Sequence, residues 1–319
     1  MNIVFLDRAT IGPSVQFPKP AFNHKWAEYP QTTREQTIAR LQGADVAITN
    51  KVIIDKAVLD ACPTLQYIAV AATGMNVVDL NTCAERGITV ANVSDYATQD
   101  VAEHAFMLML ALTKQVKAYS AALAQGQWQA SKQFCFFLDD QPPISTLRGK
   151  VLGLIGTGNI AQATAKIAKA FAMEVIYYSP SGRTAVGNVN CVSLNELLAI
   201  SDIISIHCPL TEHTQTLIGK KQLALIKPSA LLINTARGPI VDINALLNAL
   251  HNNKLAGAGL DVLPEEPPTQ SSAIMQALDN PRLIITPHTA WASHNAMQNL
   301  ANQLIKKLEA FVAGQPASD

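Results

Sequence analysis

Long apolar runs are missing from this sequence. Stretches such as Ala230 to Ile233 stop far short of the ~20 residues that a membrane helix needs. Neither sign of charge is in surplus. Twenty-four Lys and Arg balance 24 Asp and Glu, giving a formal net charge of zero, which argues against a nucleic-acid partner or an anionic membrane surface. Cysteine is scarce and unpatterned: Cys62, Cys83, Cys135, Cys191 and Cys208 are odd in number and form no CxxC pair. That fits reduced thiols in the cytoplasm, rather than a disulfide frame or a metal site. The opening MNIVFLDRAT has no basic-then-apolar signal, since Asp7 and Arg8 stand where an apolar core would have to run. Internal repeats and low-complexity tracts are also missing, and only Gly314–Asp319 reads as a frayed polar tail.

What is present is ordinary globular material: 319 residues, 49% apolar and 15% charged. At about 150 residues per domain this predicts two domains. Short apolar runs read as buried strands at Asn2–Leu6, Asp45–Thr49, Gln66–Val70, Lys150–Ile155, Glu174–Tyr178, Ile203–His207, Ala230–Asn234, Ala256–Leu260 and Leu283–Thr286. Helical spacing lies between them, as in Thr33–Leu41 and Ile243–His251. Such alternation predicts parallel sheets covered by helices on both faces. Two segments interrupt it. Val101–Leu123 reads as one long helix with apolar residues all round, and Gln125–Leu147 as an extended excursion. Ala292–Val312 reads as a last helix after a Pro-His turn.

The strand ending at Ile155 runs into Gly156-Thr157-Gly158-Asn159-Ile160-Ala161 and then a helix. In this G-x-G-x-x-A pattern the first glycine permits a tight turn and the second admits a pyrophosphate close to the backbone. The small third residue lets helix and strand approach. The helix N-terminus adds N–H donors and a favourable dipole, so the loop predicts a dinucleotide site. An acidic residue normally ends the next strand and holds the adenosine ribose. Here that strand leads into Ser179-Pro180-Ser181-Gly182-Arg183 without a carboxylate. Ser179 does not repel a 2′-phosphate and Arg183 can pair with one, which predicts NADP in preference to NAD.

Four further strands end in polar or reactive residues: His207-Cys208-Pro209, Thr235-Ala236-Arg237-Gly238, Asp261 with Glu265 and Glu266 behind it, and Pro287-His288. Open parallel sheets bind ligands beyond the carboxyl ends of their strands, so these residues are expected on the rim that carries the phosphate loop. His104, His207 and His251 belong to no metal-ligand pattern and read as structural.

With these motifs the chain resembles the D-isomer-specific 2-hydroxyacid dehydrogenase family. The resemblance rests on Gly156–Ala161, the run Asn234–Asp242, Leu260-Asp261-Val262 with Glu266-Pro267, and Thr286-Pro287-His288-Thr289-Ala290-Trp291. Ala72-Thr73-Gly74 and the run Tyr96–Glu103 extend it. Phe134–Phe137 is similar to the glycerate dehydrogenase (hydroxypyruvate reductase) group. The resemblance implies an NAD(P)-dependent oxidoreductase for a small 2-oxo or 2-hydroxy acid. In that reading Arg237 grips the substrate carboxylate and carbonyl oxygen. His288 gives or takes the proton, as an imidazole can near neutrality, and Glu266 orients it. Glu265 is the nearer rival, but the family's Glu-Pro pattern selects Glu266. Thr73 and Gly74, with Arg237 and His288, are implied as substrate contacts. Thr98, Gly156, Thr157, Gly158, Asn159, Ile160, Ser179, Arg183, Cys208, Pro209, Thr235 and Asp261 are implied as cofactor contacts, with Asp261 receiving the nicotinamide carboxamide.

The implied architecture is two doubly wound α/β domains, a Rossmann-type cofactor domain at 99–288 and a flavodoxin-like, discontinuous substrate domain at 1–98 plus 289–319, with a cleft between them that closes as a hinge. A homodimer is also implied, built on Val101–Leu123 and the 125–147 excursion. Other members of the same enzyme class, such as D-lactate and phosphoglycerate dehydrogenases, share this core. A dinucleotide-sensing corepressor is the non-enzymatic alternative, although Ala72-Thr73-Gly74-Met75-Asn76 offers no cation for a phosphorylated substrate and no basic stripe supports a corepressor.

Overall fold

A computed structural model of the chain describes residues 1–139 and 142–315. The chain divides into two compact units. One comprises Met1–Ala97 and the C-terminal stretch from Trp291, and the other is Thr98–Ala290.

The first unit holds five parallel strands: β1 (Asn2–Phe5), β2 (Lys25–Glu28), β3 (Val46–Thr49), β4 (Tyr67–Val70) and β5 (Thr89–Asn92). Their order in the sheet is β2-β1-β3-β4-β5, so the winding reverses between β1 and β3. Alternate residues feed opposite faces, as a two-residue period requires. Val46 and Ile48 enter one core cluster and Ala47 the other. The helix His294–Val312 returns to this unit and buries Leu300, Leu304, Ile305 and Leu308 on the first face. Ser293 caps its start by accepting from the Ala296 amide at 3.0 Å.

The second unit holds the six parallel strands β6 (Val151–Ile155), β7 (Glu174–Tyr178), β10 (Ile203–Ile206), β11 (Leu231–Asn234), β12 (Gly257–Leu260) and β13 (Leu283–Ile285). A small hairpin, β8 (Ala185–Val186) and β9 (Val189–Asn190), follows β7. The six-stranded order is β13-β12-β11-β10-β6-β7, with its switch point between β6 and β10. Both units are therefore doubly wound parallel α/β sheets, the first of flavodoxin type and the second of Rossmann type.

Three local expectations need revision. β2 and β5 are strands that the sequence pattern did not reveal. Both lie on a sheet edge, where charged and polar residues break the apolar run. The stretch read as one helix over Val101–Leu123 is two helices, Thr98–Thr113 and Val116–Ala124, separated at Gln115, whose φ of 57° is left-handed. The first of them buries its apolar residues within its own unit: a Cβ on Gly259 would lie 2.9 Å from Leu108 Cβ. Met107 on the same helix is left 41% exposed. The 125–147 excursion contains a short helix, Gln127–Ser131, and exposes Phe134 at 95% and Phe137 at 66%. The end of the tail reading, residues 316–319, lies outside the described residues, as do positions 140 and 141 of the excursion. Among the described residues no helix is long and apolar enough to cross a membrane.

Candidate active site

All of the implied catalytic residues and most of the implied cofactor residues follow the carboxyl ends of strands in the unit Thr98–Ala290. The turn after β6 begins at Gly156, with φ of 118°. A Cβ there would lie 2.5 Å from the His207 carbonyl oxygen, so only glycine lets this turn press against the end of β10. Gly158 N-caps the helix Asn159–Ala170 in an extended conformation without a capping side chain. A Cβ on Gly158 would meet nothing within 4 Å. The space beside the helix start is therefore open to a ligand that approaches the backbone at Gly158. Ala161 is fully buried where the helix meets the sheet. After β11 the Thr235 hydroxyl is buried without a hydrogen-bond partner. An uncapped helix start, a glycine cradle and an orphaned hydroxyl fit a dinucleotide.

At the end of β7 Ser179 is buried, and its Oγ accepts from the Arg183 amide at 3.0 Å. The Arg183 guanidinium reaches back to donate to the Thr157 carbonyl at 3.3 Å, which lays it beside the glycine-rich turn. Beyond β10, Cys208 is buried, and burial pushes its thiol up to about 11. His207 hydrogen-bonds Ser205 at 2.8 Å through Nε2, while its Nδ1 is sealed without a partner. Desolvation pulls its pKa down to about 4, so the ring is neutral.

The reactive groups stand on β11, β12 and β13. Asn234 braces the loop after β11: its Oδ1 accepts from the Ala236 amide at 3.0 Å and its Nδ2 donates to the Arg237 carbonyl at 2.9 Å. Arg237 leans on the same loop, donating through Nη1 to the Ala236 carbonyl at 2.7 Å. Gly238 follows, and a Cβ there would lie 2.0 Å from the Leu263 carbonyl carbon. This contact packs the arginine loop onto the segment that leads to Glu266.

His288 and Glu266 are joined, Nδ1 to Oε2 at 2.6 Å. Glu266 is itself anchored because its Oε1 accepts from the Leu263 amide at 2.8 Å. The structure thus selects Glu266 over Glu265 as the partner of His288. His288 has a φ of 55°, and its amide donates to the Asp261 carbonyl at 2.8 Å.

Asp261 organises this loop. Its Oδ1 accepts from the Thr286 hydroxyl at 2.5 Å and the Thr289 amide at 2.9 Å, and its Oδ2 from the Ala290 amide at 2.9 Å. His104 completes the set, with Nε2 at 2.8 Å from Thr286 Oγ1. Because the Thr286 proton is given to Asp261, the histidine must donate through Nε2. Burial holds His104 below the ordinary imidazole range, against the pull of Asp261, which fits a neutral Nε2–H ring. Sequence reasoning set His104 aside as structural and gave Asn234, Gly238 and Thr286 no role of their own, although all three stand in the motifs that carry the resemblance. An asparagine at a strand end before a small-Arg-Gly run was the available signal for the first two.

Thr73 and Gly74 lie in the other unit, after β4. There the Thr73 hydroxyl donates to the Val93 carbonyl at 3.2 Å and its carbonyl accepts from Asn92 at 2.6 Å. Thr98 is the first residue of the second unit and of its first helix.

A glycine cradle at the switch point of a parallel sheet, with imidazole, carboxylate and guanidinium on the same rim, defines a dinucleotide-binding α/β enzyme. The model of the D-isomer specific 2-hydroxyacid dehydrogenase NAD-binding domain matches residues 106–290. The chain is 44% identical over 316 residues to a glycerate dehydrogenase of Methylorubrum extorquens, covering 99% of this chain and 97% of that one. It is 37% identical to a hydroxypyruvate reductase of Blautia hydrogenotrophica, over 90% and 88% of the two chains. Among solved structures, the TT0316 protein of Thermus thermophilus superposes with a TM-score of 0.86 at 30% identity, covering 100% and 99%. The chain belongs to the D-isomer-specific 2-hydroxyacid dehydrogenase family.

Proposed function

We propose that this enzyme uses NADPH to reduce a short 2-oxo acid to its D-2-hydroxy acid, taking hydroxypyruvate to D-glycerate or glyoxylate to glycolate. The observation that carries the reading is the 2.6 Å pair between His288 Nδ1 and Glu266, set on the rim that holds Arg237. Relatives named glycerate dehydrogenase and hydroxypyruvate reductase support the substrate class.

Glu266 takes Nδ1 and fixes the ring, so Nε2 is the atom that presents a proton to the substrate oxygen. Arg237 offers a planar fork to the carboxylate and the carbonyl oxygen, steadying negative charge as it develops there. When bound, the reduced nicotinamide supplies the hydride. In the oxidative direction Nε2 receives the proton instead. Asp261 and Thr286 keep the His288 loop in place, and Asp261 retains acceptor capacity for a carboxamide. Thr73 and Gly74 are assigned the substrate carboxylate, which gives the unit Met1–Ala97 with its C-terminal helix the substrate role and the unit Thr98–Ala290 the cofactor role. Thr98, Asn159, Ile160, Cys208 and Pro209 are assigned to the cofactor with the glycine turn.

NADP is favoured because Ser179 ends β7 without negative charge and Arg183 lies beside the turn. A second copy of the chain is the proposed partner, covering the apolar residues Trp128, Phe134 and Phe137 of the excursion. The five unpaired thiols suit the cytoplasm. A panel of 2-oxo acids assayed with NADPH and NADH tests the reading, together with chiral analysis of the product. Turnover of hydroxypyruvate or glyoxylate to the D-series product is expected, and failure of both acids with both cofactors overturns it. Sedimentation showing only monomer at micromolar concentration overturns the dimer.

A further inference from the structure

The amino-terminal side of the six-stranded sheet, opposite the catalytic rim, holds a cavity of about 460 Å³. Residues just before β6, β10, β11, β12 and β13 form its wall, and the junction of the two helices Thr98–Thr113 and Val116–Ala124 closes it. Its charge and shape are unlike those of a packing defect. Lys150 and Arg282 both line it. Among the described residues the single lining carboxylate, Asp202, is already engaged by Lys227 at 3.0 Å and by the Val151 amide at 2.9 Å. Burial opposes its charge, yet these bonds and nearby Lys150 hold its carboxyl below the ordinary range. Among the described residues the positive charge of the wall thus exceeds the negative.

Arg282 is held rigid by the Leu250 carbonyl at 2.7 Å and Asn253 Oδ1 at 3.0 Å, so its placement is built by the fold. Leu112, Ile203 and Leu255 supply apolar wall. Gln115, in its left-handed conformation at the helix junction, gives its Nε2 to the Pro142 carbonyl and so ties this junction to the 125–147 excursion.

The geometry points to a second small-molecule site, for an amphipathic carboxylate that carries an apolar body. Its anionic end meets Lys150 and Arg282, and its apolar body meets Leu112 and Leu255. The helix Thr98–Thr113 carries Leu112 at this cavity and His104 against Thr286 in the loop of His288. Occupancy is therefore expected to be felt at the catalytic rim, which makes the ligand an effector and not a second substrate.

Indole-3-acetate has the required carboxylate and apolar ring and serves as the probe. Its binding to the full-length protein is followed by calorimetry and saturation-transfer NMR. Binding is expected to survive Arg237→Ala, which removes the anion anchor of the catalytic rim, and to weaken about tenfold in Lys150→Ala. It is expected to vanish in Ser229→Trp, which fills the cavity from an exposed position. Thermal melts check that each variant is folded. Saturating probe is expected to change kcat/KM for the 2-oxo acid at least about twofold in the unaltered enzyme and not in Ser229→Trp. Loss of binding with Arg237→Ala, unchanged binding in Ser229→Trp, or no binding at millimolar probe overturns the site. Binding with an unchanged kcat/KM overturns the effector role. Because the NMR readout does not require turnover, failure of the proposed reaction would be seen separately.

Discussion

Each of the two parallel sheets ends one strand in a buried aspartate, Asp7 after β1 and Asp261 after β12, and the two are used differently. Asp7 accepts from the amides of Asn50 at 2.9 Å, Lys51 at 2.6 Å and Val52 at 3.3 Å, and so fastens the loop after β3. Asp261 fastens the loop after β13 in the same way, but that loop carries His288, and Asp261 also engages Thr286 and, through it, His104. A carboxylate surrounded by amides is a general way to close a strand-end loop. What makes one of them part of a site is the side chain that the loop delivers.

Removing the delivered group should have the largest effect. His288→Asn is expected to lower kcat by about 10²–10⁴ with the thermal midpoint unchanged, as measured by steady-state rates and calorimetry. Next comes the loop itself. Asp261→Asn leaves one of the converging amides facing an NH₂ group, and a misplacement of this kind is expected to lower kcat about 10²-fold. Asp7→Asn should instead appear in the melt, as a loss of about 1–3 kcal/mol, with kcat close to that of the unaltered enzyme. Equal effects of the two substitutions on kcat would break the comparison.

The two units should also part company in acid. His207 in the second unit is held neutral, its pKa drawn down to about 4, so its contribution is present above the unfolded value near 6.5 and is lost as pH falls through about 4. Denaturant melts should show up to ~3 kcal/mol lost across that window, and His207→Gln should flatten the slope. Asp7 in the first unit has its pKa raised by burial, against the lowering effect of the three amides. It acts in the opposite sense: its contribution is present below the unfolded carboxyl value and is lost as pH rises through the folded one. The smallest expected effect concerns the cofactor. Arg183→Ala should lower kcat/KM about tenfold with NADPH while leaving it unchanged with NADH. A loss shared by both cofactors would show that Arg183 does not read a 2′-phosphate.

The central strands were legible because they are buried on both faces and read as unbroken apolar runs, such as Ile203–Ile206 and Val46–Thr49. β2 and β5 were not, since their faces are exposed or only half-buried and Lys25–Glu28 and Thr89–Asn92 carry no apolar run. The break at Gln115 was hidden for another reason: glutamine is a good helix former, and only packing holds it at a positive φ. At the site, residues whose chemistry is their function (Arg237, Glu266, His288 and the glycine turn) could be named from the chain. Those that act through geometry received no role from the chain: Asn234, Gly238 and Thr286 stood inside the quoted motifs and His104 outside them, and only their hydrogen bonds and close contacts show what they brace.

By itself the sequence determined the alternation of buried strands with helices and the phosphate turn, because apolar periodicity and glycine placement are local constraints that a single strand–turn–helix must satisfy. The two doubly wound units and the roles of the reactive groups were implied by the resemblance of its motifs to a family. Only the tertiary structure decided that Asp261 and His104 brace the loop of His288, and that a charged cavity lies at the opposite edge of the sheet. Those facts depend on which strands become neighbours, and hydrogen bonds of about 2.5–3 Å between residues far apart in the chain leave no periodic trace in it.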